Sequence, residues 1–278
     1  MTIAEALRDA ARALEGSSDT ARLDAELLMA HALGVSRSDL LLRHMRDDCP
    51  VTFAAMVERR MRHEPVAHII GRQEFYGREF IVTADTLIPR ADSETTLQAA
   101  LDALPHGGRV LDCGVGSGAL LLSFLAERPE AHGIGIDRSQ AALHVAAANA
   151  DRLGLSDRCE MLLRDWNQAG WQDGLGKFDL VIANPPYVED DADLAPSVRE
   201  YEPGGALFAG KEGLDDYRAL VPQLTLLLIP GGVAVLEIGW KQAAQVGEMA
   251  VSCGFTVTQY NDLAGRPRAL CLRLGLGN

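Results

Sequence analysis

Asn184, Pro185, Pro186 and Tyr187 close a run of β-prone apolar residues, Phe178, Leu180, Val181 and Ile182. The two prolines have no N–H to give a sheet, and they hold the turn with little residual freedom. The Asn184 amide oxygen and the Pro185 carbonyl oxygen are acceptors that such a turn can aim at one spot. Tyr187 adds a flat face on which a planar group can stack. Two acceptors and an aromatic face make a receptor for a planar –NH2. Taken alone, the same tetrapeptide could be no more than a rigid loop with an Asx turn.

A second constellation lies upstream. "VLDCGVGSG" places Asp112 and then Gly114, Val115, Gly116, Ser117 and Gly118 where a strand turns into a helix. Glycine there lets backbone approach a ligand that a Cβ would push away. Asp137 follows at the end of the next strand, where a carboxylate can accept both hydroxyls of a ribose. The pair suits a nucleoside-containing cofactor. Gly114, Gly116 and Ala119 also satisfy the dinucleotide string G-x-G-x-x-G/A, and a tight turn with no ligand is the bland alternative. Five scattered cysteines lack a CxxC pair and seven histidines lack an HxxxH pair, so no metal is expected.

These residues need a scaffold that brings strand ends together. From position 109 onwards strand-like and helix-like segments alternate: strands at 110–112, 133–137, 159–163, 179–183 and 233–238, with helices at 119–127, 139–153, near 215–228 and at 242–253. Ser139 is the expected N-cap of its helix. Such alternation predicts a parallel sheet covered by helices on both faces. The runs 256–260 and 269–274 are joined by a loop too short for a crossover helix, so the last strands should be antiparallel. That ending is foreign to a dinucleotide fold and resembles the seven-stranded fold that binds S-adenosylmethionine.

The first 70 or so residues read instead as helices, with stripes at Ile3, Leu7, Ala10 and Leu14, at Leu23, Leu27, Leu28 and Ala32, and at Phe53, Met56, Val57 and Met61. Between Gly71 and Pro89, two short β-prone runs about Gly77 predict a hairpin. The expected organisation is a helical domain at 1–72, a β-hairpin linker at 73–88 and an α/β domain at 89–278. The formal charge of −13 is uneven: residues 1–72 hold 10 Arg and 11 Asp/Glu, the remainder 16 Lys+Arg and 28 Asp/Glu. An acidic domain is poorly suited to grip nucleic-acid phosphates and suits a basic partner better. No apolar run approaches the roughly 20 residues that span a bilayer, and the first segment does not read as a signal peptide, so a cytoplasmic protein is expected.

Taken together, the motifs resemble the HemK/PrmC family, the bacterial protein-(glutamine-N5) methyltransferases that modify class-I peptide chain release factors. The resemblance runs along nearly the whole chain: "RLDAELLMAHALG", "EPVAHIIGRQEFYGREF", "LIPRADSET", "VLDCGVGSG", "GIDRS", "RDW", "NPPY", "VREYEPGGALFAGKEGLDDYR", "PGGVAVLEIG" and "DLAGRPRAL". It implies a seven-stranded Rossmann-like methyltransferase fold with an antiparallel terminal strand. It also implies S-adenosyl-L-methionine as cofactor, S-adenosyl-L-homocysteine as product, and the glutamine of a Gly-Gly-Gln loop as the methylated group. By the same resemblance residues 114–118, Asp137, Asp165, Trp166 and Asn184 hold the cofactor, while Asn184, Pro185, Pro186 and Tyr187 bind the substrate amide. Trp166 could also be core packing. Two positions depart from the family pattern: Ala91 stands where proline is usual and Arg164 where glycine is usual. A ribosomal-protein glutamine methyltransferase, an N6-adenine nucleic-acid methyltransferase and a non-catalytic binding module are the alternatives. The expected partner is a release factor, with no direct nucleic acid or membrane, and the expected state is a monomer.

Overall fold

The computed structural model describes residues 1–275. They divide into two compact units, one formed by Met1–Arg72 with Leu194–Tyr201, the other by Gln73–Asp193 with the chain from Glu202 onwards.

The helical unit begins with Ile3–Leu14, opened by a capping box in which Glu5 N donates to Thr2 Oγ1 and Thr2 N to Glu5 Oε2. Such a cap stabilises a helix end by about 1 kcal/mol. Ile3, Leu7, Ala10 and Leu14 are buried, as their spacing predicts. The second stripe is different. In Ala21–Leu33 the buried set is Asp24, Ala25, Glu26, Leu28, Met29 and Ala30, while Leu23 is exposed. Two carboxylates can take core-facing positions because partners reach them. Asp24 accepts from Ser18, Thr20 and Arg60, and Glu26 from Arg22 and Arg37. Arg60 is correspondingly buried in the helix Phe53–Met61, whose Met61 is exposed. The excursion Leu194–Tyr201 is tied into this unit by the Tyr201 hydroxyl, which donates to the Arg62 carbonyl at 2.7 Å. No periodicity in the sequence marks it.

β1 (Arg72–Phe75) and β2 (Arg78–Ile81) form the expected hairpin. Both loop residues, Tyr76 and Gly77, have positive φ, which matches a two-residue turn to the twist of the strands. Phe75 and Phe80 are buried in the core of the larger unit.

That unit is built on β3 (Arg109–Cys113), β4 (His132–Asp137), β5 (Cys159–Leu163), β6 (Phe178–Ala183), β7 (Leu228–Glu237), β8 (Phe255–Asn261) and β9 (Pro267–Leu274). They form one sheet in the order β5-β4-β3-β6-β7-β9-β8. β3 to β7 are mutually parallel, and β9 runs antiparallel to both of its neighbours. Only β9 is therefore reversed; β8, at the edge, points the same way as β7. This is the Rossmann-like methyltransferase sheet. The helix expected near 215–228 is interrupted: Asp215–Leu220 passes into a 3-10 turn at Val221–Gln223, then Leu224–Leu227, and Leu228 already begins β7. Pro222 accounts for the break, since it offers no N–H and crowds the preceding turn. Among the described residues no helix is long and apolar enough to cross a membrane.

Candidate active site

Strand order reverses between β3 and β6: the chain winds outward from β3 to β5, then returns to add β6 on the other side. In such sheets the crevice for a ligand opens beyond the carboxyl ends of the strands at that point. Cys113 and Ala183, the last residues of β3 and β6, are partners in register, so Gly114 and Asn184 are the first residues beyond two paired strand ends. The glycine motif and the Asn-Pro-Pro-Tyr motif, 70 positions apart, thus meet at one place.

A cavity of about 270 Å³ opens there. Gly114, Val115, Gly116, Ser117 and Asp137 line it, as do Asp165, Trp166, Asn184 and Pro186. Three of the expected residues do not. Gly118, at φ +85°, is the turn that starts the helix Ala119–Glu127. Pro185 is buried outside the lining, and Tyr187, half-buried and next to the lining residue Pro186, sends its hydroxyl to Glu237 of β7.

The glycine turn is held from below. Gly114 and Val115 N both donate to the Ile136 carbonyl, and Gly116 N donates to Asp137 Oδ2 at 3.0 Å. Asp137 Oδ1 accepts from Ser139 N at 2.9 Å. Each oxygen of that carboxylate retains a lone pair for a second donor. Gly114 packs close to the indole of Trp166, since a Cβ on it would lie 3.3 Å from the ring. Trp166 is buried, its Nε1 donates to Asp216 and its carbonyl accepts from Gln223, so it is both core and cavity wall. Burial raises the Asp216 carboxyl from its ordinary value, against the pull of the Trp166 hydrogen bond. Asp165 Oδ1 accepts from Asn167 N.

Asp112 differs from these. It is 1% exposed and lines the cavity; Oδ2 accepts from Leu121 N, while Oδ1 has no hydrogen-bond partner among the described residues. Burial, with the nearby Asp137 charge adding to it, pushes its carboxyl up to about 7 against the pull of the Leu121 N–H. An unpartnered buried carboxylate oxygen beside open glycine backbone fits a ligand that is cationic and rich in donors. S-adenosylmethionine, with its sulfonium, ammonium and ribose hydroxyls, meets that description. Asp112, Asp137 and the backbone of residues 114–117 are the groups that would hold it.

Asn184 is half-buried, and its side-chain amide makes no hydrogen bond among the described residues. The chain beyond it is pinned: Val188 N donates to Leu207 O, Ala209 N to Val188 O, and Gln242 Nε2 to the Tyr187 carbonyl at 3.1 Å. The Asn184 amide therefore projects from a fixed turn with its polar atoms uncommitted.

Several groups around the cavity carry no local sequence signal. Asn149, fully buried, bonds both Ile81 N and Ile81 O and also the Ser117 carbonyl, so it ties β2 to the glycine turn. Glu202 accepts from Ile88 N and from Arg90, each at 3.0 Å, and Arg138 donates to the Gly205 carbonyl. Ala91 is exposed beside that loop, so the Glu202 bridge, not a second proline, stiffens it. Arg164 lines the cavity and donates to the Leu163 carbonyl.

Residues 5–71 match the PrmC N-terminal domain family and residues 104–251 a methyltransferase domain family. A release factor glutamine methyltransferase of Cereibacter sphaeroides is 43% identical over 282 residues, 99% of each chain. The chain belongs to the release factor glutamine methyltransferase family. Another member, from Caulobacter vibrioides, is 39% identical, covering 96% of this chain and 93% of its own. Among solved structures a Pyrococcus furiosus methyltransferase aligns with TM-score 0.52 at 19% identity, over 72% of this chain and 91% of that one. The ribosomal protein L11 methylase of Lactobacillus delbrueckii subsp. bulgaricus gives 0.51 at 19%, over 73% and 90%. At that identity they bear on the fold alone, and both share the methyltransferase sheet. As a member of that family, this chain is a methyltransferase.

Proposed function

We propose that this protein transfers the methyl group of S-adenosylmethionine to the side-chain amide nitrogen of the Gly-Gly-Gln glutamine in class-I peptide chain release factors. The observation that carries the reading is the uncommitted amide of Asn184. It sits on a proline-fixed turn at the lip of the Asp112–Asp137 cavity, in a chain 43% identical to a release factor glutamine methyltransferase over 99% of its length.

The bound cofactor supplies an electrophilic methyl group. The protein's task is the nucleophile, because an amide lone pair is delocalised and its N–H is too weakly acidic for an ordinary base. In our reading Asn184 Oδ1 and the Pro185 carbonyl accept the two N–H bonds of the substrate amide. That draws nitrogen out of conjugation and aims its lone pair toward the cavity, while the Tyr187 ring supports the amide plane. The proton leaves after transfer, and no histidine is required as a base. Asp137 takes the ribose hydroxyls with the lone pairs left over from Gly116 N and Ser139 N. Trp166 and Asp165 border the adenine.

A pocket for one flat amide cannot select one glutamine from a proteome. We assign that selection to the helical N-terminal domain together with the hairpin. A monomer acting in the cytoplasm on a protein of translation, without touching nucleic acid or membrane, is the corresponding setting. The test is intact-mass and peptide-mass analysis of release factor and ribosomal proteins after incubation with enzyme and S-adenosylmethionine. A single methyl added to the release-factor glutamine is expected; methylation of a ribosomal protein instead refutes the substrate.

A further inference from the structure

Glu237, the last residue of β7, is 1% exposed and has no lysine or arginine within ion-pair distance among the described residues. Its oxygens face hydroxyl groups instead. Thr96 Oγ1 donates to Oε2 at 3.3 Å, Tyr187 Oη to Oε1 at 3.4 Å, and the Ser93 hydroxyl bonds the same carboxylate. Arg268 lies near enough to be felt, but its Nη2 pairs with Asp92 at 2.8 Å and Asp262 at 3.3 Å. The other buried acids are differently placed: Asp24, Glu26 and Glu202 are each bonded to arginine, and Asp112 borders the cavity.

Burying a carboxylate without a cationic partner is expensive, and the strand does not require it. Val233, Ala234, Val235 and Leu236, the four residues before Glu237, are all aliphatic and buried. A leucine at 237 would continue them. The hydroxyl of Tyr187 has Glu237 as its partner, and the backbone carbonyl of Tyr187 is held by Gln242, which also bonds Gly213 O and Gly239 N. Both ends of the tyrosine are thereby fixed. Burial raises the Tyr187 phenol, with the Glu237 charge adding to it, so the hydroxyl stays a proton donor at any working pH.

We propose that Glu237 is a positioning residue for methyl transfer: by holding the Tyr187 hydroxyl it sets the plane of the ring that supports the substrate amide. This rests on the function proposed above. It predicts that Glu237 acts through Tyr187 and not through the Ser93 and Thr96 side of its carboxylate.

A double-mutant cycle on the full-length enzyme reads this directly. Single-turnover methylation of folded release factor is measured for wild type, Tyr187→Phe, Glu237→Leu, Glu237→Gln and the combinations, alongside S-adenosylmethionine affinity and Tm. Tyr187→Phe, which removes only the hydroxyl, should slow transfer about tenfold, the scale of one lost bond to a charged group. Glu237→Leu should slow it as much, and Glu237→Gln, which retains an acceptor, should recover most of the rate. In the Tyr187→Phe background neither change at 237 should slow it further. S-adenosylmethionine affinity should be unchanged throughout. If Glu237→Leu does not fold, Glu237→Ala in the two backgrounds decides: about tenfold slower than wild type alone, no slower beside Tyr187→Phe. A full rate for Tyr187→Phe, or losses that multiply in the double variant, overturns the proposal. A wild-type enzyme inactive on release factor overturns the functional reading first, and this one with it.

Discussion

Asp112 should make the stability of the methyltransferase unit fall as pH rises from 4 to 7. Its carboxyl is raised from 3.8 to about 7 because the charged form is fully buried. Within that window the folded protein keeps a proton that the unfolded chain has lost. The folded state binds more protons, so unfolding becomes easier with each pH unit. The shift is about 3 units, each worth about 1.4 kcal/mol, giving about 4 kcal/mol lost between pH 4 and pH 7. Asp112→Asn keeps an oxygen for Leu121 N and never ionises, so it should lack this term. Urea unfolding of both proteins without cofactor, from pH 4 to pH 8, isolates Asp112 with its coupling to Asp137, because the groups not coupled to it cancel in the difference. The variant should match the wild type near pH 4 and exceed it by several kcal/mol near pH 8. It should also bind S-adenosylmethionine more weakly, having lost the carboxylate that favours a cation. Parallel stability curves across the whole range would refute the reasoning.

Asn184→Ala should lower single-turnover methylation by about 10²–10³, the usual loss for one preorganised electrostatic partner, with a smaller effect on cofactor affinity by calorimetry. Near wild-type turnover would remove Asn184 from the mechanism. Asp137→Ala should weaken S-adenosylmethionine binding by about 1.5–3 kcal/mol, the range for hydrogen bonds to a charged group, and lower Tm as well, because Gly116 N and Ser139 N lose their acceptor. A fall in Tm with unchanged affinity would leave it only its structural bonds. Folded release factor should be methylated far faster than a short peptide carrying the same loop; equal rates would show that nothing outside the amide pocket selects the substrate.

Much of the site could be read from local chemistry. Positive-φ glycines after a strand, a carboxylate closing the next strand and a proline-fixed amide each announce themselves within a few residues, and strand order then brings them together. The groups that hold them do not. Asn149 reaches Ile81 across 68 positions, Glu202 reaches Ile88 across 114 and Thr96 reaches Glu237 across 141. Such contacts depend on the finished sheet, and a single asparagine or glutamate in a sequence gives no sign of its partner. The misplaced stripe of Ala21–Leu33 has the same origin: Asp24 and Glu26 turn inward only because Arg60, Arg22 and Arg37 are there to meet them. β9 slips between β7 and β8 for a reason that periodicity does not carry, since alternation reports burial and not neighbour order.

The excursion Leu194–Tyr201 has a consequence for synthesis. The helical unit is encoded first, yet its last eight residues arrive only after more than half of the other unit has been made. At about 5–20 residues per second, the ribosome takes on the order of ten seconds to travel from Arg72 to Leu194. For that interval the N-terminal helices must wait without the segment whose tyrosine bonds Arg62. The unit that emerges first is thus completed late, and a nascent chain arrested before residue 194 should show weaker protease resistance in residues 1–72 than one arrested well beyond residue 201.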